Sequence, residues 1–186
     1  VRPATVSITA SSQSASGVGS GVIYDDQGHI ITNYHVISTA LNGGQIQVTL
    51  SDGRLYTAQV VGTDSSTDLA VIKLDDPPEN LTVAKFGDSN QVKVGQDVMA
   101  IGSPLGLSDT ATTGIVSALN RPVEVEQEQQ GQQQQQIDPN DPFGQLPGLQ
   151  GFGQQQQQQA QTETVVTNSI QVDASINPGN SGGPLF

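Results

Sequence analysis

The stretch Gln45-Ile46-Gln47-Val48-Thr49-Leu50 alternates polar and apolar side chains residue by residue. Successive side chains of a β-strand point to opposite faces of a sheet, so this alternation predicts a strand with one buried face. Outward from it in both directions, short β-type runs recur between turns rich in Gly, Asn, Asp and Ser. Nine strands are predicted, at residues 5–9, 19–25, 29–34, 45–50, 55–62, 69–74, 98–102, 112–119 and 165–173. The sequence therefore predicts an all-β chain.

The predicted strands divide into six before the break Asp75-Asp76-Pro77-Pro78 and three after it. Six strands can close into a barrel, which removes the exposed edges of a sheet, whereas three strands cannot. The turns between the first six strands include Asp25-Asp26-Gln27-Gly28 and Ser51-Asp52-Gly53, and glycine accepts the positive φ that tight hairpins require. The division predicts a closed unit followed by an open one.

Composition excludes several classes of function. The 186 residues contain 18 acidic and 6 basic side chains, a formal charge of −12, with no basic stripe to follow a phosphate backbone. We therefore expect no nucleic acid partner. No apolar run approaches the roughly 18 residues that span a bilayer. The chain has no cysteine and no cluster of ligand-type residues at metal spacing, so neither a disulfide nor a metal or other cofactor is expected.

Glutamine is concentrated in one part of the chain. Of 25 glutamines, 17 fall within residues 121–164, among proline, glycine and acidic residues. Such a composition buries too little apolar surface to offset the entropy of ordering, so a disordered loop is predicted at about residues 122–163. Two roles stay open for it. It is either a docking or sensor loop acting through the short apolar patch at residues 143–152, or an expansion without function.

Near the C-terminus stands Asn177-Pro178-Gly179-Asn180-Ser181-Gly182-Gly183. A serine between glycines in a tight turn exposes its hydroxyl, and the surrounding backbone N–H groups can converge on one point. Such convergence is what an oxyanion hole requires in acyl transfer. The alternative is an ordinary glycine-rich turn.

A serine nucleophile needs a base, and the base needs an orienting acid. Of the two histidines, His35 is predicted at the end of the third strand, while His29 opens that strand and is expected to be an exposed or structural residue. Asp68 immediately precedes the sixth strand, where a carboxylate requires a partner. The alternative is that Asp68 has no catalytic role and that its carboxylate only accepts hydrogen bonds from nearby backbone N–H groups. The chain order His35, Asp68, Ser181 is that of the chymotrypsin-type arrangement.

Five segments in this order resemble the HtrA (Deg) family of trypsin-like serine proteases, and the likeness covers nearly the whole chain apart from the Gln-rich stretch. They are Thr-Asn-Tyr-His-Val at 32–36, Thr-Asp-Leu-Ala-Val-Ile-Lys at 67–73, Ala-Ile-Gly-Ser-Pro-Leu-Gly-Leu at 100–107, Thr-Gly-Ile-Val-Ser-Ala-Leu at 113–119 and Asp-Ala-Ser-Ile-Asn-Pro-Gly-Asn-Ser-Gly-Gly-Pro-Leu at 173–185.

The resemblance implies a chymotrypsin-like double β-barrel with the site in the cleft between the barrels. Residues 1–76 are then expected to form the first barrel and 77–186 part of a second. That second barrel is expected to be truncated at the C-terminus, because the chain ends at Phe186, soon after the proposed nucleophile.

The resemblance also implies roles for individual residues. Ser181 is the nucleophile that forms an acyl-enzyme, His35 is the base and Asp68 orients the base. Backbone N–H groups of Gly179 and Ser181, with Asn180 shaping the turn, are implied to form the oxyanion hole.

Ile176 is implied to line the pocket that binds the residue before the cleaved bond, which favours small aliphatic side chains there. The implied substrates are misfolded or unfolded proteins of the cell envelope. The alternative is a chaperone-like module that binds unfolded proteins with weak or no proteolysis.

Further features follow from the family alone. They are homotrimer-based assemblies, a PDZ domain after the protease domain, and an extracytoplasmic location in the periplasm or cell envelope, with or without a membrane anchor ahead of Val1. The Gln-rich loop would occupy the position of the family's regulatory sensor loop.

Overall fold

The computed structural model describes residues 2–13, 15–103, 110–125, 165–177 and 179–186. Most of the Gln-rich loop predicted at residues 122–163, including the apolar patch at 143–152, lies outside these residues. Within them there are nine strands, and the nine predicted strands are confirmed. The strands are β1 (Thr5–Ser11), β2 (Ser16–Ile23), β3 (His29–Asn33), β4 (Gln45–Thr49), β5 (Leu55–Asp64), β6 (Leu69–Leu74), β7 (Asp97–Gly102), β8 (Thr110–Val125) and β9 (Val165–Val172).

Strands β1 to β6 form a closed barrel in the order β1-β2-β3-β6-β5-β4, all neighbours antiparallel. Closure comes from β1, which pairs with β2 on one side and with β4 on the other. Each of the six strands therefore has two partners and no free edge. The alternation that opened the sequence analysis appears as expected in β4, where Ile46 and Val48 are buried while Gln45 and Gln47 are exposed.

The barrel interior holds the hydrophobic core of the described chain. Its largest fully buried side chains include Ile8, Ile30 and Ile72, and Ile30 stands opposite Ile72 in the β3–β6 pairing. Burial of such a side chain stabilises the fold by about 1.5–3 kcal/mol relative to exposure. The core also takes in Val36 and Ile37, which follow β3.

A short helix after β3 was not predicted. The third strand was expected to run through Tyr34, but it ends at Asn33, and α1 (Tyr34–Ile37) begins directly. The physical reason is burial, because the helical turn places Val36 and Ile37 together against the core, which an extended chain with its alternating faces would not do.

Strands β7, β8 and β9 form an open three-stranded antiparallel sheet. Residues 184–186 return to the edge of β7, where Met99 and Phe186 exchange two backbone hydrogen bonds of 2.8 and 2.9 Å. The fold class is confirmed as chymotrypsin-like, with a closed six-stranded barrel and a second barrel represented by three strands. Strand β8 extends to Val125, so residues 122–125 of the predicted loop lie in a strand.

Three 3-10 helices, at Arg2–Ala4, Ser38–Ala40 and Ser89–Gln91, complete the described elements. The helices in the described part of the chain are too short to span a bilayer.

Candidate active site

His35 lies on α1 at one end of the barrel. Its neighbours Val36 and Ile37 are buried in the core, while the His35 side chain is 57% exposed. The helix thus fixes the backbone of His35 through its apolar neighbours and leaves the imidazole accessible from solvent. Sequence analysis expected the ring at the end of a strand, and the helical turn replaces that expectation.

Asp68 binds His35 through both carboxylate oxygens. Oδ1 accepts a hydrogen bond from the backbone N–H of His35 at 2.9 Å, and Oδ2 lies 2.8 Å from the ring Nδ1. An ionised carboxylate can only accept, so Nδ1 carries the proton when the ring is neutral. Nε2 is then unprotonated and can accept a proton. This is the tautomer of histidine that a general base requires.

The backbone of Asp68 adopts a left-handed conformation, with φ +55°. A residue other than glycine pays about 1–3 kcal/mol for such a conformation, and it persists only where its surroundings fix it. Here the carbonyl of Asp68 accepts hydrogen bonds from Asn33 Nδ2 at 2.8 Å and from the Tyr34 N–H at 3.1 Å. With the two bonds to His35, four hydrogen bonds from residues 33–35 hold Asp68 in place.

Asn33 is a residue that sequence analysis missed. It belongs to the segment at residues 32–36 that carried the family resemblance, but no local pattern shows that its side chain reaches residue 68. The signal lies only in the pairing of Asn33 with Leu69 across β3 and β6, which places Asp68 beside the end of β3.

Two consecutive turns hold Ser181. Asn180 donates its N–H to the carbonyl of Asn177 at 3.0 Å, and Gly183 donates to the carbonyl of Asn180 at 2.9 Å. Gly179 has φ +94° and Gly182 has φ +80°, values that glycine adopts without steric penalty. The backbone conformation of the turn therefore favours glycine at positions 179 and 182.

The Ser181 turn packs against the same end of the barrel as His35. A Cβ on Gly182 would overlap the Ser20 carbonyl and Thr32 Oγ1 and stand 3.1 Å from the Asn33 N. Gly182, the residue after Ser181, therefore lies against Thr32 and Asn33 at the end of β3. These two residues come shortly before His35 in the chain. The structure thus brings the turn that carries Ser181 to the strand end from which His35 and Asp68 are positioned.

Asn180 and Ile176, two further predicted residues, differ sharply in exposure. Asn180 is only 8% exposed, and within the described chain its side-chain amide has no hydrogen-bond partner. Ile176 is 73% exposed. The buried Asn180 side chain lies against Gly102 at the end of β7, and Ile176 presents an apolar side chain to solvent.

The second histidine forms a separate pair. His29 Nδ1 lies 2.7 Å from Asp25 Oδ2, and Asp25 Oδ1 accepts the N–H groups of Gln27 and His29, each at 3.0 Å. Desolvation opposes ionisation of Asp25, but hydrogen bonds from His29 and Gln27 outweigh it and hold the pKa of Asp25 below its ordinary value. The pair lies at the opposite end of β3 from Asn33, where it fastens the β2–β3 turn.

The described residues contain no group of three or more His, Asp or Glu side chains that could hold a metal ion.

Comparison with known proteins shows the family of the chain. Residues 19–186 match the trypsin-like peptidase domain. The chain belongs to this family of trypsin-like peptidases, and its relatives assign it to the HtrA (Deg) group within them. It is 38% identical over 180 residues to Protease Do-like 8, chloroplastic, of Arabidopsis thaliana, covering 91% of this chain and 32% of that protein.

A bacterial relative and a solved structure give the same picture. The chain is 39% identical over 175 residues to a probable periplasmic serine endoprotease DegP-like of Halomonas elongata, covering 94% of this chain and 28% of the relative. The crystal structure of Deg5 superposes with a TM-score of 0.70 at 32% identity, covering 100% of this chain and 75% of Deg5. The chain thus spans about a third of the length of the curated relatives it matches.

Proposed function

We propose that this chain carries the catalytic groups of a serine endopeptidase of the HtrA type, with Ser181, His35 and Asp68 as its triad. The observation that carries the proposal is the pair of hydrogen bonds from His35 to Asp68, of 2.9 and 2.8 Å, at the barrel end against which the Ser181 turn packs. The first barrel, residues 1–76, would supply base and acid, and residues 77–186 the nucleophile.

In the proposed reaction, Ser181 Oγ attacks the carbonyl carbon of the peptide bond while His35 Nε2 accepts the hydroxyl proton. The tetrahedral intermediate collapses, the C–N bond breaks, and His35 gives the proton to the leaving amine. Water then attacks the acyl-enzyme, His35 accepts a proton from it, and the proton returns to Ser181 as the acid product leaves. Asp68 remains ionised throughout and stabilises the imidazolium.

The oxyanion hole is proposed from the backbone of the same turn. The N–H groups of Asn180 and Gly183 are used in the turn's own hydrogen bonds. The N–H groups of Gly179 and Ser181 are the ones we assign to the developing negative charge, with buried Asn180 holding the turn between them. Removing one such donor from a serine protease lowers kcat by about 10²–10³.

Specificity and substrates are proposed on the likeness to the HtrA group. The exposed Ile176 would contact the side chain before the cleaved bond and favour small aliphatic residues. Unfolded or misfolded envelope proteins would be the substrates, and homotrimers the assembly, with a PDZ domain in the longer protein. One relative is named periplasmic and another chloroplastic, which supports an extracytoplasmic location.

The test measures casein cleavage by the purified protein and three variants, two in the proposed triad and one matched histidine control. Ser181→Ala and His35→Ala should abolish cleavage, while His29→Ala, which removes the histidine outside the site, should retain it. Cleavage by Ser181→Ala at the wild-type rate would refute the proposal. Suppression of client aggregation by a wild type that cleaves nothing would instead favour the chaperone-like binding module.

A further inference from the structure

Ser20, on β2, is fully buried and makes four hydrogen bonds with groups outside its own strand. Its N–H donates to the Ser181 carbonyl at 2.7 Å, and its carbonyl accepts from Thr32 Oγ1 at 2.7 Å. Its hydroxyl donates to the Gly179 carbonyl at 2.7 Å and accepts from the Ser103 N–H at 2.8 Å. One residue of the first barrel therefore contacts both the Ser181 turn and the end of β7.

The two bonds to the turn alternate along the backbone with the proposed oxyanion donors. The Gly179 carbonyl belongs to the peptide that follows the Gly179 N–H, and the Ser181 carbonyl to the peptide that follows the Ser181 N–H. Because peptide units are planar, these bonds fix the planes of the 179–180 and 181–182 peptides. The peptide that carries the Ser181 N–H lies between these two fixed planes, and the peptide that carries the Gly179 N–H adjoins one of them, so the rotations that orient both amides are restricted. Ser20, which is fully buried, thus restrains the turn at two carbonyls, each directly after a proposed donor residue's N–H.

The two hydrogen bonds of the Ser20 side chain require a hydroxyl group at position 20. The side chain donates to one buried backbone group and accepts from another at the same time, which serine and threonine can do and alanine cannot. Without the hydroxyl, the buried Ser103 N–H and the partly buried Gly179 carbonyl both lose a partner, which favours movement of the turn towards another partner.

We propose that Ser20 is a positioning residue for the oxyanion hole, which holds the backbone of residues 179–181 in the conformation that stabilises the tetrahedral intermediate. The inference rests on the proposed serine endopeptidase function and adds to it a residue on the opposite barrel. It also explains why the turn, which follows the second sheet in sequence, is fastened to β2 of the first barrel.

The experiment compares Ser20→Ala with Thr32→Val as a matched control. Thr32→Val removes a hydrogen bond of the same length from the same buried cluster, but one that leads to the Ser20 carbonyl and not to the turn. The readouts are Tm, kcat and KM on a chromogenic peptide with a small aliphatic residue before the cleaved bond, and the affinity for a peptide boronic acid. The boronic acid forms a tetrahedral adduct with Ser181 and so reports on the oxyanion hole.

Both variants should lose thermal stability, but only Ser20→Ala should lose oxyanion stabilisation. We expect its kcat and its boronic acid affinity to fall by about 10- to 100-fold while KM stays within about twofold. Thr32→Val should keep both within about threefold of the wild type. Ser20→Thr, which retains the hydroxyl, should keep most of the boronic acid affinity.

Three results would overturn the inference. The first is an active wild type whose Ser20→Ala variant keeps its kcat and boronic acid affinity, which would leave the proposed function intact. The second is an equal loss in Thr32→Val and Ser20→Ala, or a folded Ser20→Thr as impaired as Ser20→Ala, which would indicate general destabilisation. The third is a folded wild type that neither cleaves casein nor binds the boronic acid, which would remove the proposed function as well.

Discussion

Replacing Asn33 by alanine removes one of the four hydrogen bonds that hold Asp68. The bond runs from Asn33 Nδ2 to the Asp68 carbonyl at 2.8 Å, and after the change that carbonyl keeps the N–H of Tyr34 at 3.1 Å. Asp68 stays in its left-handed conformation with φ +55°, but with fewer contacts to offset the strain. We expect both stability and turnover to fall, each by a modest amount.

The magnitude follows from the contacts. A neutral hydrogen bond contributes about 0.5–1.5 kcal/mol net, and the carbonyl is not left unpaired, so the free energy of unfolding should fall by about 1 kcal/mol. If the same free energy is lost from holding Asp68 in its catalytic position, kcat can fall by at most about tenfold, since 1.4 kcal/mol corresponds to a factor of ten. We predict a decrease of about three- to tenfold with KM unchanged.

The assay pairs urea unfolding with steady-state kinetics on a peptide substrate. The control is Gln59→Ala, which removes a 2.9 Å amide hydrogen bond to Asp75, at the other end of β6 from Asp68. Gln59→Ala should leave kcat unchanged. A stable Asn33→Ala variant with wild-type kcat would refute the positioning role, and a loss beyond about 100-fold would show that Asn33 acts on the reaction more directly than its contacts allow.

Three further predictions concern the turns and the core. Asp25→Asn should make Tm depend less on pH in the acid range. The pKa of Asp25 is lowered in the folded protein, so its contribution to stability is complete above the ordinary pKa of 3.8 and is lost as the pH falls through the lower folded value. An equal acid-induced decrease in Tm in both proteins would contradict this. Ile72→Ala, in the fully buried core, should lower the free energy of unfolding by about 2–5 kcal/mol in urea titrations, and less than 1 kcal/mol would argue against the packing described. Gly182→Ala places a methyl group against Thr32 at φ +80°, so the rate at which a fluorophosphonate labels Ser181 should fall by about tenfold or more while far-UV circular dichroism is retained; unchanged labelling would contradict the close approach.

Local pattern was sufficient to predict the strands. The alternation in residues 45–50 and the glycines at the hairpins depend on neighbours within a few residues, and the structure places Ile46 and Val48 inside the barrel as this alternation requires. The helix at Tyr34–Ile37 escaped prediction because it is only four residues long. Its conformation is decided by burial of Val36 and Ile37 in a barrel that the local sequence does not show.

The candidate site was predictable in its residue types but not in its supports. Serine between glycines, a histidine after a strand and an aspartate before one are visible in the sequence, and the family resemblance assigned their roles. The contact of Ser20 with Gly179 joins residues 159 positions apart, and Asn33 reaches Asp68 across two paired strands. Such bonds are set by tertiary topology, so no spacing rule in the chain could have indicated them.

Ser181 as an activated nucleophile is the central claim, and covalent labelling tests it most directly. The purified protein is treated with a fluorophosphonate, digested, and its peptides are analysed by mass spectrometry, beside the His35→Ala and His29→Ala variants. The triad predicts a single adduct on Ser181 in the wild type and in His29→Ala, and none in His35→Ala. Labelling of Ser181 that survives the loss of His35, or an adduct on a different residue, would contradict the account.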